Sequence, residues 1–272
     1  MTVRVLILLA AGVNCDHETA HAFELAGAVA DRVHVNDLIE RPQLLDDYQI
    51  LALPGGFSFG DDIASGQVLA RKLKYRLAEP LNNFVAQDKL VLGICNGFQV
   101  LVKLGLLPGG RSSNSTNSPA SSEFVEFEER PLKAALTFNV SSKFEDRWVY
   151  LKPDSAAKCV FTNSLKDVIY LPVRHGEGRF IISDEGLASL KASGQVALRY
   201  VDAKGDSAGY PANPNGAVDD IAGISDPTGR IFGLMPHPEV FIRQSQHPRW
   251  SRDEGARADG IDIFKNAVKF FD

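Results

Sequence analysis

Short, mostly apolar segments that recur along the chain constrain its fold more than any other feature. Residues 3–9, 49–53, 90–94 and 230–235 each have the pattern of a strand buried on both faces, and 32–35 forms a further strand candidate. Strands of this kind are typical of parallel sheets, in which crossover helices cover both faces. These segments therefore predict a parallel sheet at the centre of the fold.

Amphipathic segments with helix-start and helix-stop signals lie between these strands. Asp16 can cap the first of them. The predicted helices are 17–28, 63–78, 81–86, 98–106 and 261–271. Alternating strands and helices predict right-handed crossovers and an α/β fold, an open, mostly parallel sheet flanked by helices.

The pattern changes after Gly109. Residues 111–122 (RSSNSTNSPASS) are polar and Ser-rich, which predicts a mobile surface loop. The β-rich segments 147–151, 168–173 and 196–200 predict extra antiparallel strands beside the parallel core. With no repeat and no clear linker, we expect a single domain over residues 1–272.

Composition and charge exclude several functions. The 272 residues carry a formal charge of −5 with no basic block, which argues against nucleic acid and against anionic membranes. Three cysteines do not make a disulfide framework, and no segment reaches the roughly 18 apolar residues of a membrane helix. We therefore expect a cytoplasmic location.

Metal and nucleotide motifs are missing from the sequence. His17 and His21 stand four apart, but no Glu follows the first in H-E-x-x-H fashion, so we expect a solvated helix face and no metal. Neither G-x-x-x-x-G-K-[ST] nor G-x-G-x-x-G occurs, so we expect no cofactor in this chain.

One pentapeptide, Gly-Ile-Cys-Asn-Gly at 93–97, follows a predicted buried strand and opens a helix. This is the context of a nucleophile elbow, where Cys95 would occupy a strained turn and therefore need small neighbours, Gly93 and Gly97. The N–H groups of a helix N-terminus favour a thiolate, and that of Asn96 could hold an oxyanion. A buried core cysteine at a strand end is the alternative.

Two further segments follow predicted strands. Pro54-Gly55-Gly56 should lie at the same carboxyl edge of the sheet, where Gly56 could supply a second oxyanion donor; a plain tight turn has the same composition. In Met235-Pro236-His237-Pro238-Glu239, extended backbone would point His237 and Glu239 to one side, as a base and the carboxylate that orients it. A surface histidine in a Pro-rich turn is the alternative there.

Three other candidates remain. Cys15 also follows a core strand but lacks flanking glycines, so we expect a structural role for it. Cys159 is expected in the core. His175, within Arg-His-Gly-Glu-Gly-Arg, is a rival to His237 as the base.

Together these segments resemble the class I, or triad, glutamine amidotransferases of flavodoxin-like fold. Within that class the chain is most similar to the glutaminase components of phosphoribosylformylglycinamidine synthases. The motifs that carry the resemblance are Pro-Gly-Gly-Phe-Ser-Phe-Gly-Asp-Asp at 54–62, Gly-Ile-Cys-Asn-Gly-Phe-Gln at 93–99, Pro-Val-Arg-His-Gly-Glu-Gly-Arg-Phe at 172–180 and Met-Pro-His-Pro-Glu at 235–239. They extend over nearly the whole chain.

The resemblance implies a reaction and a set of site residues. A cysteine would attack the amide of glutamine, forming a glutamyl thioester and releasing ammonia. The implied catalytic residues are Cys95, His237 and Glu239, and the implied oxyanion donors are Gly56 and Asn96. The implied contacts to glutamine are Gln99, Asn139, Ser141 and Phe144.

The resemblance also implies partners. Ammonia would pass to a separate ATP-dependent synthetase subunit of purine biosynthesis, on which ATP and Mg²⁺ are expected. Whether a small bridging subunit also takes part is left open. Some residues depart from the family pattern: Ser142-Lys143 replaces Gly-Arg, Val240 replaces Arg, and the 111–122 loop and the 241–260 tail are long.

The sequence leaves other functions open. The chain could be a triad amidotransferase or cysteine hydrolase that serves a different synthetase. It could also be a catalytically silent regulatory subunit, although the intact triad speaks against that.

Overall fold

The computed structural model describes residues 2–109, 133–253 and 257–272. The strands are β1 (Arg4–Leu9), β2 (Val29–His34), β3 (Ile50–Leu53), β4 (Leu90–Ile94), β5 (Ala135–Thr137), β6 (Glu145–Pro153), β7 (Ile169–His175), β8 (Arg179–Ile181), β9 (Val196–Val201), β10 (Ile221–Ser225) and β11 (Ile231–Leu234). The α-helices are α1 (Asp16–Leu25), α2 (Val35–Glu40), α3 (Gln67–Ala86), α4 (Asn96–Leu104), α5 (Asp184–Ser193) and α6 (Ile261–Lys269). The Ser-rich segment 111–122, predicted to be a surface loop, lies outside the described residues.

Nine strands form one sheet in the order β2-β1-β3-β4-β11-β10-β9-β6-β7. The first five are mutually parallel, and each of the remaining strands is antiparallel to its neighbours. β5 and β8 pair separately as a small antiparallel sheet. The prediction of a parallel core with extra antiparallel strands is confirmed.

The parallel strands are apolar because both of their faces are covered. Every residue of β3, β4 and β11 is buried, and the buried apolar side chains form one contiguous cluster. Leu53 pairs with Gly93, and Ile94 pairs with Leu234. The carboxyl ends of these three strands therefore meet at one edge of the sheet.

Two helices were predicted over 63–78 and 81–86, and α3 is indeed divided, with a break at Leu77, whose φ is −133°. The predicted start was wrong, because the helix begins at Gln67. Pro80 explains the break, since a proline ring collides with the carbonyl four residues earlier. The helix starts late because Asp61 accepts a hydrogen bond from the Gly66 N–H (2.9 Å), which belongs to the preceding turn.

The tail that follows β11 packs back on the molecule. Phe241 and His247 both contact the Trp148 ring, with centroids 5.0 and 5.9 Å away. A Cβ on Gly260 would lie 2.0 Å from the Pro238 carbonyl oxygen, so the tail lies directly against the segment that carries His237. Within the described residues, no helix has both the length and the apolar character needed to cross a membrane.

Candidate active site

Cys95 lies on the turn between β4 and α4 with a backbone that L-residues rarely adopt. Its φ is +50° and its ψ −104°. Strain of this kind persists only where the surroundings enforce it, and it clusters at functional sites. Cys95 N–H donates to the Leu234 carbonyl (2.8 Å), which holds the turn against the neighbouring strand.

The two glycines beside Cys95 are required by close packing. A Cβ on Gly97 would lie 1.9 Å from the Leu53 carbonyl oxygen, and one on Gly93 would lie 2.8 Å from the Gly97 backbone. Helix α4 therefore approaches β3 and β4 more closely than any side chain permits. This confirms the physical reason given for the elbow pattern.

Gly56 approaches the turn that follows β1. Its φ is +143°, and a Cβ there would lie 2.6 Å from the Gly12 carbonyl oxygen. Asn96, the residue after Cys95, is the first residue of α4. The first N–H groups of a helix have no partner within the helix. The assignment of Gly56 and Asn96 as oxyanion donors stays a prediction.

His237 and Glu239 form a buried hydrogen-bonded pair. Nδ1 of the ring is 2.6 Å from Oε1 of the carboxylate, and the side chains are 4% and 0% exposed. Burial lowers the pKa of His237, but Glu239, Cys95 and Cys15 raise it more, so that pKa lies well above its ordinary value. The pair therefore favours the imidazolium form.

The reason given from sequence for this pairing was wrong. Extended backbone was expected at His237 and Glu239, but Pro238–Val240 form a short 3-10 turn. The turn folds the carboxylate back onto the ring, while the His237 N–H donates to the Pro172 carbonyl (2.8 Å) and fixes the segment to β7.

β7 also brings a backbone acceptor to Cys95, the predicted nucleophile. The Cys95 thiol lies 3.6 Å from the Arg174 carbonyl oxygen. The His175 ring is engaged elsewhere: its Nδ1 lies 3.2 Å from Asn139 Oδ1, and its Nε2 lies 3.5 Å from Asn215 Nδ2. Burial, and then the neighbouring His237, lower the pKa of His175 to about 3. The His175 ring is therefore neutral, and both of its nitrogens already have hydrogen-bond partners. Of the two histidines, His237 is the stronger candidate for the base.

The Phe-Ser-Phe-Gly-Asp segment supports the elbow. Asn96 Nδ2 donates to Asp61 Oδ1 (3.1 Å) and to Gln99 Oε1 (3.0 Å). Asn96 Oδ1 accepts from the Ser58 N–H (3.2 Å). Gln99 Nε2 in turn donates to the Glu177 carbonyl (2.7 Å). This chain of bonds links α4 to the two segments beside it, and the role of Asp61 was missed from sequence.

The other predicted glutamine contacts have internal partners. Asn139 Nδ2 donates to the Lys143 and His175 carbonyls (2.8 Å each), and the Ser141 hydroxyl donates to Glu145 Oε1 (2.7 Å). Phe144 is 54% exposed, with its ring 6.4 Å from that of Phe57. Direct contact of Gln99, Asn139, Ser141 and Phe144 with glutamine stays a prediction.

Cys15 lies beside the His237–Glu239 pair, and the structural role expected for it stays a prediction. Its Sγ, a ring nitrogen of His237 and a carboxylate oxygen of Glu239 all lie within 4.8 Å of one another. Burial raises the pKa of this thiol, and His237 partly offsets the rise. The available signal was position: Cys15 follows β1, and β1 neighbours β3 in the same parallel block.

Comparison with known proteins gives consistent matches over the whole chain. A family model described as a CobB/CobQ-like glutamine amidotransferase domain matches residues 2–271. A Dehalococcoides mccartyi protein named phosphoribosylformylglycinamidine synthase subunit PurQ is 46% identical, covering 98% of this chain and 97% of that protein. The protein of the same name from Archaeoglobus fulgidus is 41% identical, covering 99% and 97%.

Solved structures agree with these matches. The structure of PurLQS from Thermotoga maritima contains a chain that superposes with a TM-score of 0.72 at 30% identity, covering 100% of both chains. A glutamine amidotransferase from Thermotoga maritima has a TM-score of 0.53 at 16% identity, covering 99% of this chain and 97% of that one, and so shares the fold.

Proposed function

The chain belongs to the family of CobB/CobQ-like glutamine amidotransferase domains, and on that basis we propose that it is the glutaminase subunit of a phosphoribosylformylglycinamidine synthase. It releases ammonia from glutamine and supplies it to an ATP-dependent synthetase that forms formylglycinamidine ribonucleotide in purine biosynthesis. The observation that carries the proposal is a strained Cys95 beside a buried His237–Glu239 pair.

The reaction starts at Cys95. Its thiolate attacks the side-chain carbonyl carbon of glutamine, and the C–S bond forms as the oxygen gains negative charge. The N–H groups of Gly56 and Asn96 hold that oxyanion, because preorganised donors stabilise charge that develops in the transition state. The C–N bond then breaks and leaves a glutamyl thioester.

His237 moves the protons. In its protonated form it donates to the departing nitrogen, and ammonia leaves. As a neutral base it then takes a proton from water, which attacks the thioester and releases glutamate and the free thiol. Glu239 keeps the ring oriented and stabilises the imidazolium through the 2.6 Å bond to Nδ1.

The partner follows from the relatives. Proteins named for this synthase are 40–46% identical over almost the whole chain, and the Thermotoga maritima PurLQS structure contains a similar chain. We infer that the chain acts with a synthetase and with a small third subunit, that ATP and Mg²⁺ bind the synthetase, and that the complex works in the cytoplasm.

Exposed aromatic side chains support a docking role for the face around the site. Phe57 and Phe144 are 48% and 54% exposed, and Phe57 directly follows Gly56. Exposed apolar groups that cluster on a surface commonly mark protein interfaces. A synthetase seated there would also receive ammonia before it is protonated by water.

The test is a reconstituted assay. The chain is mixed with the synthetase and third subunit, ATP, Mg²⁺, glutamine and formylglycinamide ribonucleotide, and both glutamate and amidine product are measured. We expect glutamate and amidine in equal amounts. Glutamate release without amidine formation would assign the chain to another synthetase, and absence of glutamate release would refute the glutaminase assignment.

A further inference from the structure

Cys15 is a second thiol in the candidate site, and the proposed reaction does not use it. A Cβ on Gly55 would lie 2.8 Å from Cε1 of His237 and 3.5 Å from Sγ of Cys15. Only a glycine at this position leaves room for the thiol and the imidazole to face each other. The thiol, the ring and the Glu239 carboxylate offer three donor atoms within 4.8 Å of one another.

Two of these side chains carry buried polar atoms without a partner. Nε2 of His237 and Oε2 of Glu239 have no hydrogen-bond partner among the described residues. Both side chains are at least nine-tenths buried. A buried polar atom without a partner is destabilising, so a ligand that pairs with these two atoms stabilises the site.

The His237–Glu239 pair already has the arrangement that metal sites use. Histidines that bind zinc commonly donate their other ring N–H to a carboxylate, which fixes the tautomer and makes the binding nitrogen more basic. The 2.6 Å contact between Nδ1 and Glu239 Oε1 does this, and Nε2 becomes the electron-pair donor once it releases its proton to solvent. The thiols of Cys15 and Cys95 both lie close enough to this ring to raise the pKa of His237.

We propose that Cys15 completes a binding site for a thiophilic divalent cation, with Zn²⁺ as the type case. The Cys15 sulfur and the His237 ring are the ligands that define it, and the Glu239 carboxylate is the further donor within reach. Zn–S and Zn–N bonds are about 2.3 and 2.0–2.1 Å, so the donors must close by roughly 1 Å. Each thiol that binds releases its proton to solvent.

The consequence is reversible inhibition. A cation at this site occupies the lone pair of His237 that the reaction needs. This consequence rests on the proposed function, whereas the binding itself does not.

Cation binding is measured on the purified full-length chain with Co²⁺, followed by displacement with Zn²⁺. Thiolate-bound tetrahedral Co²⁺ gives a charge-transfer band in the near ultraviolet and strong visible bands. We expect one such site in the unaltered protein. Cys15→Ala should weaken Zn²⁺ binding by at least about tenfold, the low end of what even outer-shell changes cost.

Two variants serve as controls. Cys159→Ala removes a thiol that is buried away from the site, where burial raises its pKa to about 12, and should leave binding unchanged. Cys15→Ser keeps the side-chain size and should lose affinity as Cys15→Ala does, so a folding defect in one variant does not decide the result. A missing thiolate band, or equal affinity in both Cys15 variants and the unaltered chain, would overturn the proposal.

Inhibition is measured separately with the reconstituted complex. Zn²⁺ should stop glutamate release, and a chelator should restore it. With each protein's rate normalised to its own rate without Zn²⁺, the Zn²⁺ concentration that halves activity should be at least about tenfold higher for Cys15→Ser than for the unaltered chain. No glutamate release even without Zn²⁺ would count against the proposed function alone. Normal release without a cobalt–thiolate band would count against the cation site alone.

Discussion

The parallel and antiparallel halves of the large sheet contribute different kinds of groups to the site. The parallel half supplies the groups that are proposed to react: Cys95 follows β4, and His237 follows β11. The antiparallel half supplies groups that already have partners, such as the neutral His175 and the Arg174 carbonyl at the end of β7. Carboxyl ends of parallel strands converge on helix N-termini, where negative charge is favoured, and antiparallel strands offer no such place.

The largest expected effect separates the two halves directly. Cys95→Ala should lower kcat for glutamate release by on the order of 10⁴-fold or more, because no nucleophile remains. His175→Gln, in the antiparallel half, should lower kcat by less than about 100-fold, since its ring touches Asn139 and Asn215 rather than the thiol. Steady-state assays of both variants in the complex test this. Equal loss of activity in the two variants would refute the proposed difference between the parallel and antiparallel halves.

The next effect concerns how the reactive base is held. Glu239→Gln should lower kcat by roughly 10²- to 10⁴-fold with little change in KM, because an amide can present N–H to Nδ1 and select the wrong tautomer. The measurement is kcat and KM for glutamine beside the unaltered complex. A kcat within tenfold of normal would show that the 2.6 Å bond is not needed to orient His237.

Backbone packing offers a stability comparison. Gly97→Ala should lower the free energy of unfolding by about 2 kcal/mol or more, since its Cβ would meet the Leu53 carbonyl oxygen at 1.9 Å. Gly209→Ala, between β9 and β10, is the matched control. It should change stability by less than about 0.5 kcal/mol, because the added Cβ would have no neighbouring atom within 4 Å. Denaturant titrations measure both. Similar values would contradict the close approach of α4 to β3.

The smallest effect is a pH dependence of stability. The pKa of His175 is lowered to about 3, so below pH 6.5 the unfolded chain binds a proton that the folded chain does not. Stability should fall by about 1.6 kcal/mol between pH 6.5 and 5 through this group. His237 acts oppositely: its raised pKa gives stability that is present below its unfolded pKa and lost as pH rises through the folded one.

Unfolding free energies at pH 6.5 and 5 check this prediction. In His175→Gln the fall on acidification should shrink by about 1.6 kcal/mol. An unchanged difference between the two pH values would show that His175 is not the group responsible.

The parts predicted well from sequence depend on local physics. Strand β4 was predicted with the bounds it has, and the Gly93 and Gly97 requirement followed from the elbow alone. The short turn at Pro238–Val240 and strand β10 were not predicted. The turn is held by the distant Pro172 carbonyl and β10 pairs with β9, so periodicity and spacing carry no signal for them.

The sequence alone determined which chemistry is available, because a cysteine between two glycines at a strand end needs nothing but the local backbone to become a nucleophile elbow. Tertiary structure decided which side chains surround it. β1, β3, β4 and β11 are separated along the chain but adjacent in the sheet, and only this arrangement places Cys15 beside His237. The order of strands in a sheet is fixed by packing over the whole core, and no single segment of sequence encodes it.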